Sequence, residues 1–303
     1  MSSGSAATGF GEEYARIGRG GLASSTTARL DALTGWGGFS SFMSASALAV
    51  AADADVTPVA QVVGFAGGDI RRGVIRTTRP GQGRLRIGTA RWRERSGPVQ
   101  SWAGLRRRAL GRLSQQAALL GANAVVGIRA ERRVERPDRT LDEVGELGRW
   151  QFLGTAVRVG GLRTDTPVLT LASAAELWAL LRAGLAPAGV AGGFASVETL
   201  LSRQSMAATR RSARRPNVEL GDLTEAAYEV RRLAMERLQA DARTLGADGL
   251  IGVELHLDGL DGPRVGPCAP TLSVHVLATA VRRVRPRSVD PTPVLGLSDG
   301  ARD

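Results

Sequence analysis

Leu120-Gly121-Ala122-Asn123-Ala124-Val125-Val126-Gly127-Ile128 returns as Leu245-Gly246-Ala247-Asp248-Gly249-Leu250-Ile251-Gly252-Val253, about 125 residues further on. Three more blocks keep the same order. Gly154-Thr155-Ala156-Val157-Arg158 returns as Ala278-Thr279-Ala280-Val281-Arg282. Thr166-Pro167-Val168-Leu169 returns as Thr292-Pro293-Val294-Leu295, and the stretch 48–64 resembles 177–193. Four blocks in one order predict two copies of one domain. Each quoted stretch follows an amphipathic run. Trp102, Leu105, Ala109, Leu113, Ala117 and Leu120 make one apolar stripe; Ala227, Val230, Ala234, Leu238, Ala242 and Leu245 make the other. Steps of three and four residues predict helices over 101–120 and 222–245. Asp222 followed by Glu225 fits an N-cap with its reciprocal partner, and Ser101 is a weaker start signal. Gly121 and Gly246 fit the C′ position, where the chain turns left-handed.

After each helix the pattern changes to strands, over 124–129 and 150–159 in the first copy and 249–256 and 271–281 in the second. The charged stretch 132–148 and the Gly/Pro-rich stretch after 258 read as loops joining antiparallel strands. Strands near 59–63 and 189–193 complete each sheet, with an added candidate over 84–93. Short helices are expected over 44–54 and 173–182, Ser173 and Glu176 again having capping-box spacing. The arginine-rich region 196–215 is expected to extend a helix before Pro216. The fold class predicted is α+β: a tandem duplication of a small two-layer domain, each with an antiparallel sheet and one main amphipathic helix. The divisions are a flexible Gly/Ser-rich segment 1–43, a first domain 44–165, a second 166–284 and a Pro-containing tail 285–303.

Composition limits the chemistry. The 303 residues are 43% hydrophobic but only 4% aromatic, so the cores must be built from Ala, Leu and Val. All 40 basic residues are arginine. Without lysine, a Schiff base or a Walker-type phosphate lysine is excluded. Cys268 is the one cysteine, which excludes an internal disulfide framework. Neither a membrane span nor a secretory signal is evident, and the expected location is cytoplasmic.

The helix ending LGANAVVGIRA or LGADGLIGVEL, followed by a strand with GTAVR or ATAVR, resembles the YbjQ-like family, also named for heavy-metal binding. Both copies resemble it, over roughly 45–160 and 174–284. The resemblance implies a two-layer α/β fold and assembly into pentameric rings. Two fused copies cannot evenly fill five places, so an internal pseudo-dimer or an even-domain ring is expected.

The metal that the family name promises finds few donors. The first copy has neither Cys nor His. Its carboxylates Glu131, Glu135, Asp138, Asp142, Glu143 and Glu146 alternate with arginines and read as a solvated, ion-paired loop. The second offers Glu254, His256, Cys268 and His275, a zinc set only if all four converge. The expectation is therefore no metal site, with zinc or another divalent ion through the second domain as an alternative. The histidines otherwise read as strand-surface or interface residues, and Cys268 as a loop or partly buried thiol. Gly64-Phe65-Ala66-Gly67-Gly68 and Gly81-Gln82-Gly83 lack the strand–GxGxxG–helix grammar of a dinucleotide site.

Arginine supplies another alternative, non-specific nucleic-acid binding. Its candidates are Arg84, Arg86, Arg91, Arg93 and Arg95, the run Arg106-Arg107-Arg108, and Arg203, Arg210, Arg211, Arg214 and Arg215. The formal net charge of +11 agrees with either polyanion attraction or none. Trp92 and Trp102 read as packing residues. No catalytic set is recognisable, since neither histidine has a triad partner near a serine elbow. The function expected is that of a homo-oligomeric scaffold or small-ligand-binding protein, with ligands sought at domain interfaces, rather than an enzyme.

Overall fold

The computed structural model describes residues 3–70, 92–135, 147–199, 201–202, 205, 219–258 and 271–284, with side chains from Gly11 onward. Its class is α+β. Two helices, α1 (Ser3–Gly18) and α2 (Ser24–Trp36), precede α3 (Ala45–Asp53). Then come β1 (Val56–Asp69), β2 (Trp92–Glu94), α4 (Ser96–Leu119), β3 (Ala124–Glu135) and β4 (Leu147–Val159). The remainder is β5 (Val168–Leu169), α5 (Ala174–Arg182), β6 (Leu185–Thr199), α6 (Gly221–Thr244), β7 (Gly249–Asp258) and β8 (Thr271–Arg283). The first sheet has the order β1-β4-β3-β5 and the second β2-β6-β8-β7. Within them, β1-β4-β3 and β6-β8-β7 are antiparallel throughout.

The main helices lie where their apolar stripes require. Leu105, Ala109, Leu113 and Ala117 of α4 are buried, as are Val230, Ala234, Leu238 and Ala242 of α6. Leu245 leaves the predicted stripe and is exposed. Each helix passes so close to its sheet that a Cβ on Gly64 would enter the carbonyl oxygen of Ala109, and one on Gly193 that of Ala234. α4 begins upstream of Ser101, because Pro98 is tolerated in a first helical turn and is buried there. Both helices end as Gly121 and Gly246 turn left-handed, each at φ 66°. Ala122 N–H then donates to Ala117 O, and Ala247 N–H to Ala242 O, closing Schellman motifs. The capping-box spacing at Ser173 and Glu176 is realised in α5, whereas Asp222 is not an N-cap. Asp222 is fully buried and its carboxylate accepts from Ser202 N–H and Ser205 Oγ, a tertiary use that the local pattern does not reveal.

Several irregularities occur at matching places. The pairing shifts between Pro58 and Ala60 in β1 and between Pro187 and Gly189 in β6. It shifts again between Val126 and Arg129 and between Ile251 and Glu254. Gly127 and Gly252 sit in these last shifts at φ 60° and 59°, which bends the strand as a bulge does. Arg112 donates to Phe65 O and Gln116 to Val63 O, covering the free edge of β1. Arg237 donates to Phe194 O, and Asp241 accepts from Gly192 N–H, covering β6 in the same way. Unpaired strand edges invite aggregation, and a side-chain cover removes that template.

Three expectations change. The stretch 1–43, expected to be flexible, holds α1 and α2; Leu30 is buried, and Arg112 donates to the carbonyls of Ile17 and Gly21. Residues 196–199, expected to be helical, continue β6, because Val197 and Thr199 face inward while β2 pairs with them. The strand candidate 84–93 lies mostly outside the described residues. Its end, β2, joins the second sheet rather than the first. The tail 285–303 also lies outside them.

The cores are not confined to one half each. α4 packs on β1, β3 and β4 and also meets Val190, Phe194 and Leu277 on the face of the second sheet turned away from α6. Ala191, Ala195, Val274, Val276 and Ala278 form the other face, against α6. α3 and α5 cover the far face of the first sheet through Ala51, Ala54 and Leu177.

Candidate functional site

The face of the second sheet that meets α4 bounds a cavity of about 370 Å³, lined by residues of α4, β4, β6, β8 and α6. This lies within the usual size range for small-molecule sites. Its apolar wall is aromatic. Trp102 projects from α4 on the same stripe as Leu105 and stands edge-on to Trp150 of β4, ring centroids 5.9 Å apart. His275 of β8 lies 5.1 Å from Trp102, 5.4 Å from Trp150 and 4.2 Å from Phe194 of β6, centroid to centroid. All four rings are buried.

The polar wall is an ion pair joining the halves, its arginine buried and its carboxylate half-buried. Arg106 Nη2 donates to Asp241 Oδ2 at 2.7 Å, and the same oxygen accepts from Gly192 N–H at 2.9 Å. Arg106 can lie there because Gly192 has no side chain; a Cβ would collide with the guanidinium. Burial lowers the Arg106 pKa and the Asp241 charge opposes that shift. Nearby, Arg132 of β3 pairs with Asp258 of β7, its guanidinium 5.0 Å over the Trp102 ring. Arg237 pairs with Glu94.

Three buried nitrogens around this cavity have no hydrogen-bond partner among the described residues: Arg106 Nη1, Trp150 Nε1 and His275 Nε2. Leaving a buried polar group unmatched costs about 1–3 kcal/mol. His275 Nε2 lies 3.8 Å from Asp258 Oδ2, beyond hydrogen-bond reach. Burial pushes the His275 pKa well below its ordinary value of 6.5, with Arg132, His256 and Arg106 acting in the same direction. The imidazole is neutral at neutral pH.

The residues proposed from sequence as a zinc set divide. Glu254 and His256 lie on one strand with Oε2 and Nε2 3.9 Å apart, both exposed. His275 is the cross-strand partner of His256, yet it is sealed among aromatic rings and flanked by guanidiniums. Cys268 lies outside the described residues, as do Asp138, Asp142, Glu143 and Glu146. Glu131 pairs with Arg133, and Glu135 with Arg149. Among the described residues no three His, Cys, Asp or Glu side chains gather as metal ligands. A cation beside His275 would face Arg132 and Arg106.

The arginine candidates also divide. Arg107 and Arg108 are exposed, but Arg106 is buried in its ion pair and belongs to no surface patch. Arg84, Arg86, Arg91, Arg203, Arg210, Arg211, Arg214 and Arg215 lie outside the described residues, leaving Arg93 and Arg95. No described helix is long and apolar enough to cross a membrane. Sequence reasoning did not single out Asp241, Gly192, Trp150 or Phe194 as functional. One signal was present: at matched helix positions the first copy has Gln116 and the second Asp241, an acid opposite a buried arginine.

An "Encapsulin nanocompartment protein" of Mycobacterium tuberculosis (strain ATCC 25618 / H37Rv) is 29% identical over 181 residues, which are 58% of this chain and 64% of that protein. The chain thus spans about 64% of the length of the curated relative it matches. Residues 198–283, which contain α6, β7 and β8, match the YbjQ-like family described as "Putative heavy-metal-binding".

Proposed function

We propose that this chain is a homo-oligomeric scaffold without enzymatic activity, made of two tandem YbjQ-like units that join other chains head to tail. The observation that carries the proposal is the junction between its own halves. Residues 168–172 enter the second half by first lying on β3. β5 pairs with β3 in parallel, Thr170 N–H donates to Val125 O, and Gly127 N–H donates to Ala172 O. The other side of this segment meets the second sheet, where Leu171 N–H donates to Thr279 Oγ1. One short segment thus connects the β3 edge of one unit to the threonine of the next.

Residues 39–43 repeat half of that arrangement. Phe42 N–H donates to Thr155 Oγ1, and Met43 N–H to Ser41 Oγ, as Ala172 N–H does to Thr170 Oγ1. Their other side has no β3-like edge of a preceding unit among the described residues. The second unit has the complementary lack: among the described residues β7 ends its sheet, with Val253, Leu255 and Leu257 exposed. Phe39, Phe42 and Val50 are exposed at the head, and Tyr228 of α6 at the tail. A second copy of the chain, laying its 39–43 segment along β7, would repeat the internal junction between molecules. Such an interface is heterologous, and it closes into rings when the rotation per unit permits. Any ring of whole chains would hold an even number of units. The relative named for a nanocompartment agrees with an assembling protein.

Residues 292–295 repeat 166–169 and are the competing occupant of β7. Light scattering on the full chain and on a chain ending at Val284 separates the two. Defined oligomers from both chains are expected. A monomeric full chain, with or without assembly of the shortened one, would overturn the proposal.

A further inference from the structure

We propose that the β1 edge of the first unit is a docking surface for the tail of another copy, and that residues 17–29 of the same chain hold this surface until the copy displaces them. This deepens the head-to-tail reading and rests on it. Two pairs of matched contacts carry it. In the second unit Asp241 Oδ2 accepts from Gly192 N–H on the strand edge and from Arg106 Nη2 at 2.7 Å. At the matched place in the first unit Gln116 Oε1 accepts from Val63 N–H and from Arg29 Nη2 at 3.0 Å. Arg237 donates to Phe194 O and pairs with Glu94. Arg112, its counterpart, donates to Phe65 O and to the carbonyls of Ile17 and Gly21. Residues 17–29 thus stand on the first unit where Glu94 and Arg106 of the first unit stand on the second.

The second unit carries the same two residues at its own tail. α4 begins at Ser96 and α6 at Gly221. Glu219 therefore precedes α6 as Glu94 precedes α4, and Arg231 takes the helix position of Arg106. Both are exposed, Glu219 accepting from Thr224 Oγ1. On a copy docked as the first half docks on the second, Glu219 would reach Arg112 and Arg231 would reach Gln116. Arg231 would replace Arg29 on the same oxygen, like for like. Arg112 would exchange neutral carbonyls for a carboxylate, and a bond with both partners charged is stronger. Leaving the surface costs residues 17–29 little apolar burial: among the described residues of α1 and α2, Leu30 is the one that is buried.

Light scattering over a dilution series gives the association constant of the full chain and of three full-length variants, each verified as folded by circular dichroism. Arg29→Ala loosens the N-terminal occupant and leaves the tail intact, and should raise the constant about tenfold. Arg231→Ala and Glu219→Ala leave the N-terminus intact, and each should lower it about tenfold. Hydrogen exchange reports the displacement itself: amides of α2 should lose protection as the unaltered chain passes from dilute to assembled. An unaltered chain that assembles, with association not strengthened by Arg29→Ala, unmoved by both tail variants, or accompanied by unchanged protection of α2, would overturn this inference and leave head-to-tail assembly standing. Monomers at every concentration, Arg29→Ala included, would overturn both.

Discussion

His275 illustrates how one residue acquires its properties from neighbours far away in sequence. It alternates inward on β8, and its ring is enclosed by Trp102 and Trp150 of the first half and Phe194 of its own sheet. Arg132, Arg106, His256 and Asp258 are the ionisable groups around it. Its folded-state pKa is depressed mainly by burial, so the unfolded chain takes up the proton first as pH falls. Above about pH 6.5 both states hold a neutral ring and this site adds no pH dependence. Below that, stability should fall by up to about 1.4 kcal/mol per pH unit until the folded pKa is reached. Denaturant melts between about pH 7 and pH 5 would show the slope, and His275→Phe should flatten it. The sequence put His256 and His275 on two strands of one hairpin, because alternation and the intervening loop were legible, and the structure sets them directly opposite. It did not reveal the tryptophans around His275, since those contacts depend on how the two halves pack. For the same reason Arg106 read as one of three surface arginines, and Asp222 as a helix cap.

At the scale of elements, the fold is governed by two helices pressed onto two antiparallel sheets. The stripes of α4 and α6, the glycine stops and the two strand pairs after them were legible because each is a local pattern with its own period. Strand lengths were underestimated, because β1 and β6 continue through small residues that have no alternation to read. The ordering of α1 and α2 was also hidden: Arg112 holds their ends by backbone carbonyls, a contact without a sequence motif. The tight approach of helix to sheet leads to a paired expectation. Gly64→Ala and Gly193→Ala should each destabilise by about 1–3 kcal/mol, since a new Cβ must displace helix backbone. Urea unfolding of both variants checks this. Similar losses would match their equivalent placement, and an unchanged midpoint for either would refute the close contact.

For the whole molecule, the proposed assembly turns on a junction that the chain uses once between its own halves. The segment 168–172 connects β3 to the second sheet, while the 39–43 segment and the β7 edge present the two separated halves of the same arrangement. The repeated blocks predicted two similar units, but the exposure of Val253, Leu255 and Leu257 could not be read from their alternation. The central claim, head-to-tail assembly, is tested most directly by mixing two chains blocked at opposite ends. One carries Leu255→Glu and Leu257→Glu on β7, and the other Phe42→Asp in the head segment. Each alone should scatter light as a single chain, because each lacks one half of the junction. An equimolar mixture should give a one-to-one heterodimer through the one intact junction. Self-association of either blocked chain, or a mixture that stays monomeric, would contradict head-to-tail assembly.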